Sequence, residues 1–438
     1  MGPDGTRTVL FAAVEYYSSG RLSQHLLWLA SLAGIVGLLA SRALVALSPV
    51  VGVLAVLANP HLRRDIRLYF RNGAALRAAA MVVFLLLSGF YTSDWAVWRH
   101  ELFRSLTWLG VPLAFTAAVP LSGRQRWAVG AFFVLSTAAV GLATLGKYWL
   151  DPTSGNAAIH IGQNVQAVTG VFHIFFGVML ALGAFWGGAM AFKRSQNAPI
   201  WRWALGAAAV VAAVALHVLA YRTGVLAFYV SLLGCAVWLV LRRRLLPGLG
   251  LLLLLGLGPW LAYTQLESVR VRVHATRHDM QQFEEMSEGR DLNNFSLARR
   301  LTAAETALIV IREHWLLGVG PADTHAAMRN QYDWHSYGLK RANQADVHSQ
   351  YLETLLGGGI VGLALWLAVV FWPLTKAWAR RDTYLCLFIL LQAATMLVTD
   401  VLSLQIGLNL FVFGYGFLVV AGERRHSAAR CPLVNQPG

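Results

Sequence analysis

The sequence predicts an all-α protein that crosses a membrane many times. Of its 438 residues, 57% are hydrophobic and only 13% are charged, about half the charged fraction of a soluble domain. The apolar residues are gathered in stretches of roughly 20, the length that a helix needs to span the hydrocarbon core of a bilayer. Apolar residues are too abundant for a disordered chain, and three cysteines are too few for a disulfide-built secreted scaffold.

About twelve stretches are apolar enough to be transmembrane helices. Asn59-Pro60 is a helix stop after the second stretch, and the run Leu251–Leu255 is apolar on every side, as in a lipid-facing helix. The predicted spans are 23–40, 43–59, 76–92, 102–120, 127–146, 165–192, 201–220, 224–241, 245–265, 348–372, 382–399 and 402–421. We expect one integrated domain in three parts, which are nine spans in 1–265, an outer loop at 266–346, and three spans with a tail in 347–438.

Lysine and arginine are distributed unevenly between alternate loops. With the N-terminus inside, the inner loops and tails carry 21 of these residues and the short outer loops carry 5. Because lysine and arginine accumulate on the cytoplasmic side of membrane proteins, both termini are predicted to be cytoplasmic. The same residues face anionic lipid and explain most of the net charge of +15, so a nucleic-acid partner is not expected.

The longest hydrophilic segment, 266–346, holds ten Lys and Arg, eleven Asp and Glu and five His. We expect it to fold outside the bilayer, where a loop of this length is typically functional. Leu301, Ala304, Leu308 and Ile311 recur at helical spacing, which predicts an amphipathic helix on the membrane face. The sequence has no metal-ligand spacing and no glycine-rich phosphate loop after a strand, so neither a metal site, a cofactor nor an ATP-driven pump is predicted.

Four short motifs lie in order between residues 163 and 362. They are QNVQA at 163–167, RTGVLAF at 222–228, Arg300-Leu301 followed by HWLLGVG at 314–320, and HSQYLETLLGGGIVG at 348–362. The last motif joins a histidine to a glycine-rich apolar stretch. Its three consecutive glycines, Gly357 to Gly359, are expected to let another helix approach closely.

This ordered set resembles the O-antigen ligase and polymerase superfamily. The histidine motif matches its His-Asn/Ser-x-Tyr-Leu element, and HWLLGVG is similar to its His-Pro-Leu-Leu-Gly-Val-Gly, with Trp315 in place of proline. RTGVLAF resembles its Ser-Arg-Gly-Ala-Leu-Leu-Ala, with Tyr221 in place of serine and Thr223 added; QNVQA resembles its Asn-x-x-Ala. The resemblance implies a polytopic GT-C-type glycosyltransferase of the bacterial inner membrane, metal-independent and inverting. It moves a glycan from an undecaprenyl diphosphate carrier to lipid A-core in the ligase branch.

The resemblance also implies roles for three side chains, with His348 as the general base and Arg222 and Arg300 binding the diphosphate. An imidazole can accept the proton of the acceptor hydroxyl, and guanidinium groups can offset the charge of the leaving diphosphate. The charge-derived topology places all three on the outer, periplasmic side. Further candidate substrate contacts are Arg290, Arg299, His335, Tyr351 and Asn164.

Several alternatives stay open at this point. A polymerase or a protein oligosaccharyltransferase of the same superfamily would differ only in its acceptor, and a transporter is disfavoured because the spans are nearly free of charge. His348 could instead cap a span, and Arg222 could be an interfacial anchor. His173 and His217 lie within predicted spans, where we interpret them as hydrogen-bond partners between helices.

Overall fold

The computed structural model describes residues 14–161, 163–193, 198–284, 293 and 296–430. These residues form helices and connecting turns without a strand, which confirms the predicted all-α class. The helices are α1 Arg21–Ala40, α2 Arg42–Leu57, α3 Leu62–Arg71, α4 Gly73–Ser88, α5 Trp95–Ser105, α6 Thr107–Ala117, α7 Gly123–Leu150, α8 Pro152–His160, α9 His173–Phe192, α10 Pro199–Val218, α11 Arg222–Leu241, α12 Leu245–Gln265, α13 Glu267–Glu284, α14 Ser296–Glu313, α15 Thr324–Trp334, α16 Gln350–Phe371, α17 Ala377–Arg381, α18 Thr383–Met396, α19 Gln405–Gly414 and α20 Ala421–Arg430. A π-helical turn, Tyr415–Val420, joins the last two helices.

Within the described residues, eight helices are long and apolar enough to cross a membrane, as in a multi-pass membrane protein. They are α1, α7, α9, α10, α11, α12, α16 with the turn after it, and α19 continued to Ala429. Helices α3 and α4, bent by 75°, make a ninth if the pair is taken as one span. The predicted span 102–120 is instead divided into α5 and α6, each 11 residues long, and α2 and α18 have only 16 and 14 residues. The predicted number of about twelve spans therefore exceeds the number of long helices.

The interior of the bundle is rich in aromatic side chains. Trp108 of α6 packs edge-on against Trp366 of α16, and both rings contact Phe411 of α19. At the periphery lies α12, in which only Gly248 is buried. Such exposure is what the prediction of a lipid-facing leucine run requires.

The loops gather at the two ends of the bundle. At one end the Asn59 amide donates to the carbonyl of Ala117 (2.6 Å), and at the other the Thr92 hydroxyl donates to Asp323 (2.7 Å). Helix α4 runs from the first end to the second. In each of these two contacts, the distribution of lysine and arginine assigns both segments to the same side of the membrane.

The predicted helix of the outer segment is present as α14, but its buried face differs from the expected one. Leu301 and Leu308 are 36% and 45% exposed, whereas Ala303 and Ala307 are fully buried. These small side chains let α14 pack closely with α15 and the outer half of α16 in a second hydrophobic core around Tyr332. This core attaches the helix that carries Arg300 to the helix that follows His348.

Candidate functional site

The site begins with a close contact between α9 and α11. A Cβ atom on Gly224 would lie only 2.6 Å from the carbonyl carbon of Gly177, so these helices pack with their backbones in contact. Their first residues are His173 and Arg222. The positive ends of two helix dipoles therefore lie near each other at one end of the bundle.

Helix α13 adds a second arginine to this place. One amino group of Arg272 donates to the carbonyl of Gln163 (2.8 Å) and to the side-chain oxygen of Asn164 (2.9 Å). The amide nitrogen of Asn164 is 3.0 Å from Nε2 of His173. Asn164 thus holds Arg272 and the first residue of α9 together.

Helix α14 adds a third arginine, Arg300, and we call Arg222, Arg272 and Arg300 the arginine cluster. Burial lowers the pKa of Arg300, the charges of Arg222 and Arg299 lower it further, and Asp400 opposes them. Burial and then the charge of Arg222 lower the pKa of Arg272 to about 10. Like charges therefore face each other in a site shielded from water.

Several guanidinium donors in the arginine cluster have no partner. Arg272 is only 6% exposed, and its Nε and one amino group are buried without a hydrogen bond. The same holds for Nε and one amino group of Arg222. A buried donor without a partner is unfavourable, by about 1–3 kcal/mol and more for a charged group. These donors suit an anion with several acceptor oxygens, such as a phosphate or a diphosphate.

His348 lies on the turn before α16, with its Nδ1 3.9 Å from a carboxylate oxygen of Asp400. Two contacts of Gln350 fix this arrangement, because its backbone N–H donates to Thr399 (3.2 Å) and its side-chain oxygen accepts from Leu402 (2.8 Å). Asp400 also interacts electrostatically with Arg300. The carboxylate therefore connects the imidazole to the arginine cluster.

The other candidate contacts fall in different places. Asn164 lies in the cluster, and Arg299 lies beside Arg300 and donates to Asn343 (3.1 Å). His335 is exposed and packs edge-on against Tyr337 at a centroid distance of 4.1 Å. The Tyr351 hydroxyl donates to Ala393 in α18 (3.2 Å), so it fixes α16 rather than facing the cluster. The candidate Arg290 lies outside the described residues.

Sequence reasoning missed Arg272 and Asp400 and misinterpreted His173. His173 was expected to link helices, but it contacts Asn164 and interacts electrostatically with Arg272 and Arg300. The interpretation of His217 is confirmed, because its Nε2 is 2.9 Å from the hydroxyl of a tyrosine in the next helix. Arg272 lies in no motif. The one sequence signal for the group of Asn164, His173 and Arg272 was that Asn164 and His173 are close together along the chain.

The fold and the site define a multi-pass helical membrane protein with a group of buried arginines and an adjacent histidine at one end of the bundle. Residues 207–367 match the family model described as O-antigen ligase. The match covers RTGVLAF, Arg300-Leu301 with HWLLGVG, and the histidine motif, and it confirms their resemblance to the O-antigen ligase and polymerase superfamily, while QNVQA at 163–167 lies before it. The matched segment includes all three arginines of the cluster and His348. A search of curated proteins finds no match to the chain.

Proposed function

We propose that the protein transfers O-antigen polysaccharide from undecaprenyl diphosphate to lipid A-core. The transfer takes place at the periplasmic face of the bacterial inner membrane, in a GT-C-type enzyme with both termini in the cytoplasm. The observation that carries the proposal is the arginine cluster, whose buried donors lack partners and lie next to the His348–Asp400 pair. A lipid-linked diphosphate provides the acceptor oxygens that these donors need.

In this proposal Arg222 and Arg300 bind the diphosphate of the donor. Their permanent charges and forked donors offset the negative charge that grows on the leaving group as the glycosidic bond breaks. The N-termini of α9 and α11 add their partial positive charge. Diphosphate held in this way leaves readily, so the reaction needs neither a general acid nor a divalent cation.

His348 acts as the general base. It takes the proton of the acceptor hydroxyl while the hydroxyl oxygen bonds to the anomeric carbon and the electron pair of the broken bond leaves on the diphosphate. Displacement from the face opposite the leaving group inverts the anomeric centre. The carboxylate of Asp400, 3.9 Å from the ring, stabilises the imidazolium that forms.

The proposal is tested with purified protein, undecaprenyl-diphosphate-linked O-antigen and lipid A-core, followed by the gel shift of the acceptor. His348→Ala should lower the rate by about 10²–10⁴-fold, and Arg222→Lys and Arg300→Lys should also impair transfer because lysine lacks the forked donors. His61→Ala is the matched control, since this exposed histidine lies beside Asn59 at the other end of the bundle. Near-normal transfer by His348→Ala would contradict the assignment.

The products and the response to a chelator separate the remaining alternatives. Transfer should continue in excess EDTA, and a loss that Mg²⁺ restores would contradict the metal-independent reaction. Longer carrier-linked chains with unmodified lipid A-core would identify a polymerase. Glycan on protein would identify an oligosaccharyltransferase.

A further inference from the structure

A cavity of about 400 Å³ lies next to the candidate site, between α4, α5, α6 and α16. Four residues of the segment 266–346 that precede or begin α15 also line it, which are Pro321, Ala322, Thr324 and His325. Asp400 lines it as well, and the same carboxylate contacts His348 and interacts with Arg300. The cavity and the arginine cluster therefore meet at the histidine–aspartate pair, while the arginines of the cluster do not line the cavity.

The polar wall of the cavity is acidic. Its carboxylates are those of Glu101, Asp346, Glu353 and Asp400. The cavity is also lined by Arg104, which is paired with Glu101 and donates to a backbone carbonyl, and by His325, which is bonded to Asp346 (2.7 Å). Unlike the arginine cluster, this wall disfavours a phosphate. Its carboxylate oxygens can instead accept hydrogen bonds from hydroxyl groups.

Other parts of the wall are apolar. The rings of Phe84 and Trp108 line the cavity, and Phe84 packs against Gly358 and Gly362 of α16, which line it as well. Carboxylates combined with flat apolar surface suit a sugar ring, which has hydroxyls at its edge and C–H groups on its faces. The volume falls in the range of roughly 300–1,000 Å³ that small-molecule sites occupy.

We infer that this cavity binds the terminal sugar of the acceptor glycan. The inference rests on the proposed function and adds a separate acceptor subsite to it. A hydroxyl of that sugar at the Asp400 end can give its proton to His348 and attack the anomeric carbon of a donor whose diphosphate lies in the arginine cluster. The opposite charges of the two compartments keep the donor diphosphate out of the acceptor subsite.

The wall formed by α5 provides a route for a lipid-linked acceptor. None of the eleven residues of this helix is buried. The Trp98 indole donates to Leu85 (2.9 Å), and Arg104 donates to Leu402. A single lightly packed helix thus separates the cavity from the surroundings, so a lipid-linked glycan can reach it from the side.

The test measures steady-state kinetics of the full-length protein with lipid A-core and undecaprenyl-diphosphate-linked O-antigen varied separately. Glu353→Gln and Asp346→Asn should each raise the KM for lipid A-core about tenfold or more, because the amide that replaces each carboxyl has only one oxygen to accept hydrogen bonds from sugar hydroxyls. The KM for the donor should stay unchanged. Asp333→Asn, an exposed carboxylate of α15 that does not line the cavity, is the matched control.

A further variant controls for a folding defect in Glu353→Gln or Asp346→Asn. Ser105→Trp places a large side chain in the cavity from α5, and it should also raise the acceptor KM while detergent-purified protein keeps its melting temperature. A rise in the donor KM would assign the cavity to the carrier lipid and overturn the inference, as would unchanged KM values for both substrates. If the unmodified protein transfers nothing to lipid A-core, the proposed function itself fails.

Discussion

Arg272 is the side chain for which the electrostatic argument is strongest. It is almost fully buried, faces the like charge of Arg222 and leaves two donor groups without partners. Asp279 is a carboxylate that opposes this repulsion. Burying a cation without sufficient counter-charge is costly, so a buried arginine of this kind indicates a ligand anion.

Replacing Arg272 should therefore weaken donor binding. We expect Arg272→Gln to raise the KM for undecaprenyl-diphosphate-linked glycan roughly tenfold or more, since charge-assisted hydrogen bonds to phosphate are lost. Arg272→Lys should recover only part of the loss because a point charge lacks the fork. Arg277→Gln, an exposed arginine on the same helix, is the matched control.

The pH dependence of the same variant checks this role. With its pKa lowered to about 10, Arg272 is charged at neutral pH and loses its proton as the pH rises through that value. The kcat/KM for the donor should therefore fall above about pH 9 in the unmodified protein. The fall attributable to this group should be absent in Arg272→Gln, and identical profiles would argue against a phosphate-binding role.

Sequence reasoning reached part of the site at this scale and missed the rest for a physical reason. Arg222, Arg300 and His348 stand in motifs, and the structure brings them to the same end of the bundle. Arg272 is one of ten basic residues in a hydrophilic segment, and nothing in its neighbours along the chain marks it as buried. Asp400 follows an apolar span, where a lone carboxylate is indistinguishable from an ordinary helix end.

At the scale of elements, the decisive feature is a break in α16 at Gly359, where φ is 57° and ψ is −161°. The segment 315–320, a turn followed by Gly318 and Gly320 with positive φ, fills the break. The N–H of Val319 donates to Leu356 (2.9 Å), and the N–H of Ile360 donates to Trp315 (2.9 Å). Backbone groups freed by the break are thus satisfied inside the bundle, as a membrane protein requires.

This contact between residues 315–320 and α16, which we call the clasp, gives a structural reason for two of the motifs. The glycines of α16 were expected to accommodate another helix, and Gly358 does pack against Phe84 of α4, but the close neighbour of Gly359 is the HWLLGVG segment itself. Periodicity predicts an uninterrupted span here, because a break compensated by a distant segment leaves no local signal. The clasp ties the end of α14 to α16 and so fixes the distance between Arg300 and His348.

Gly359→Ala should therefore destabilise the fold. A Cβ atom at this position would lie 2.3 Å from the carbonyl of Leu316, and the backbone conformation is essentially restricted to glycine, at a strain of about 1–3 kcal/mol before any clash. We expect a lower melting temperature in detergent and loss of transfer. Gly256→Ala is the matched control because no atom lies within 4 Å of the added group, and equal stability of the two variants would contradict the clasp.

At the scale of the whole molecule, charge is separated in two directions. Along the bundle, basic residues collect at the end that joins Asn59 to Ala117, while the candidate site lies at the other end. Within the site, the arginine cluster and the acidic cavity lie on either side of Asp400. The distribution of lysine and arginine among the loops predicts the first separation, because these residues determine how a membrane protein inserts. The second depends on contacts between distant segments and appears only in the fold.

The predicted orientation gives a direct test at this scale. In a variant whose three cysteines are replaced by serine, Asp333→Cys in α15 and Arg244→Cys before α12 introduce single exposed thiols into loops assigned to opposite sides. A membrane-impermeant maleimide should label Asp333→Cys in cells with a permeabilised outer membrane. Arg244→Cys should react only after the inner membrane is opened, because the excess of lysine and arginine holds its loop in the cytoplasm. Labelling in the reverse order would place the arginine cluster in the cytoplasm, where a periplasmic ligation reaction is impossible.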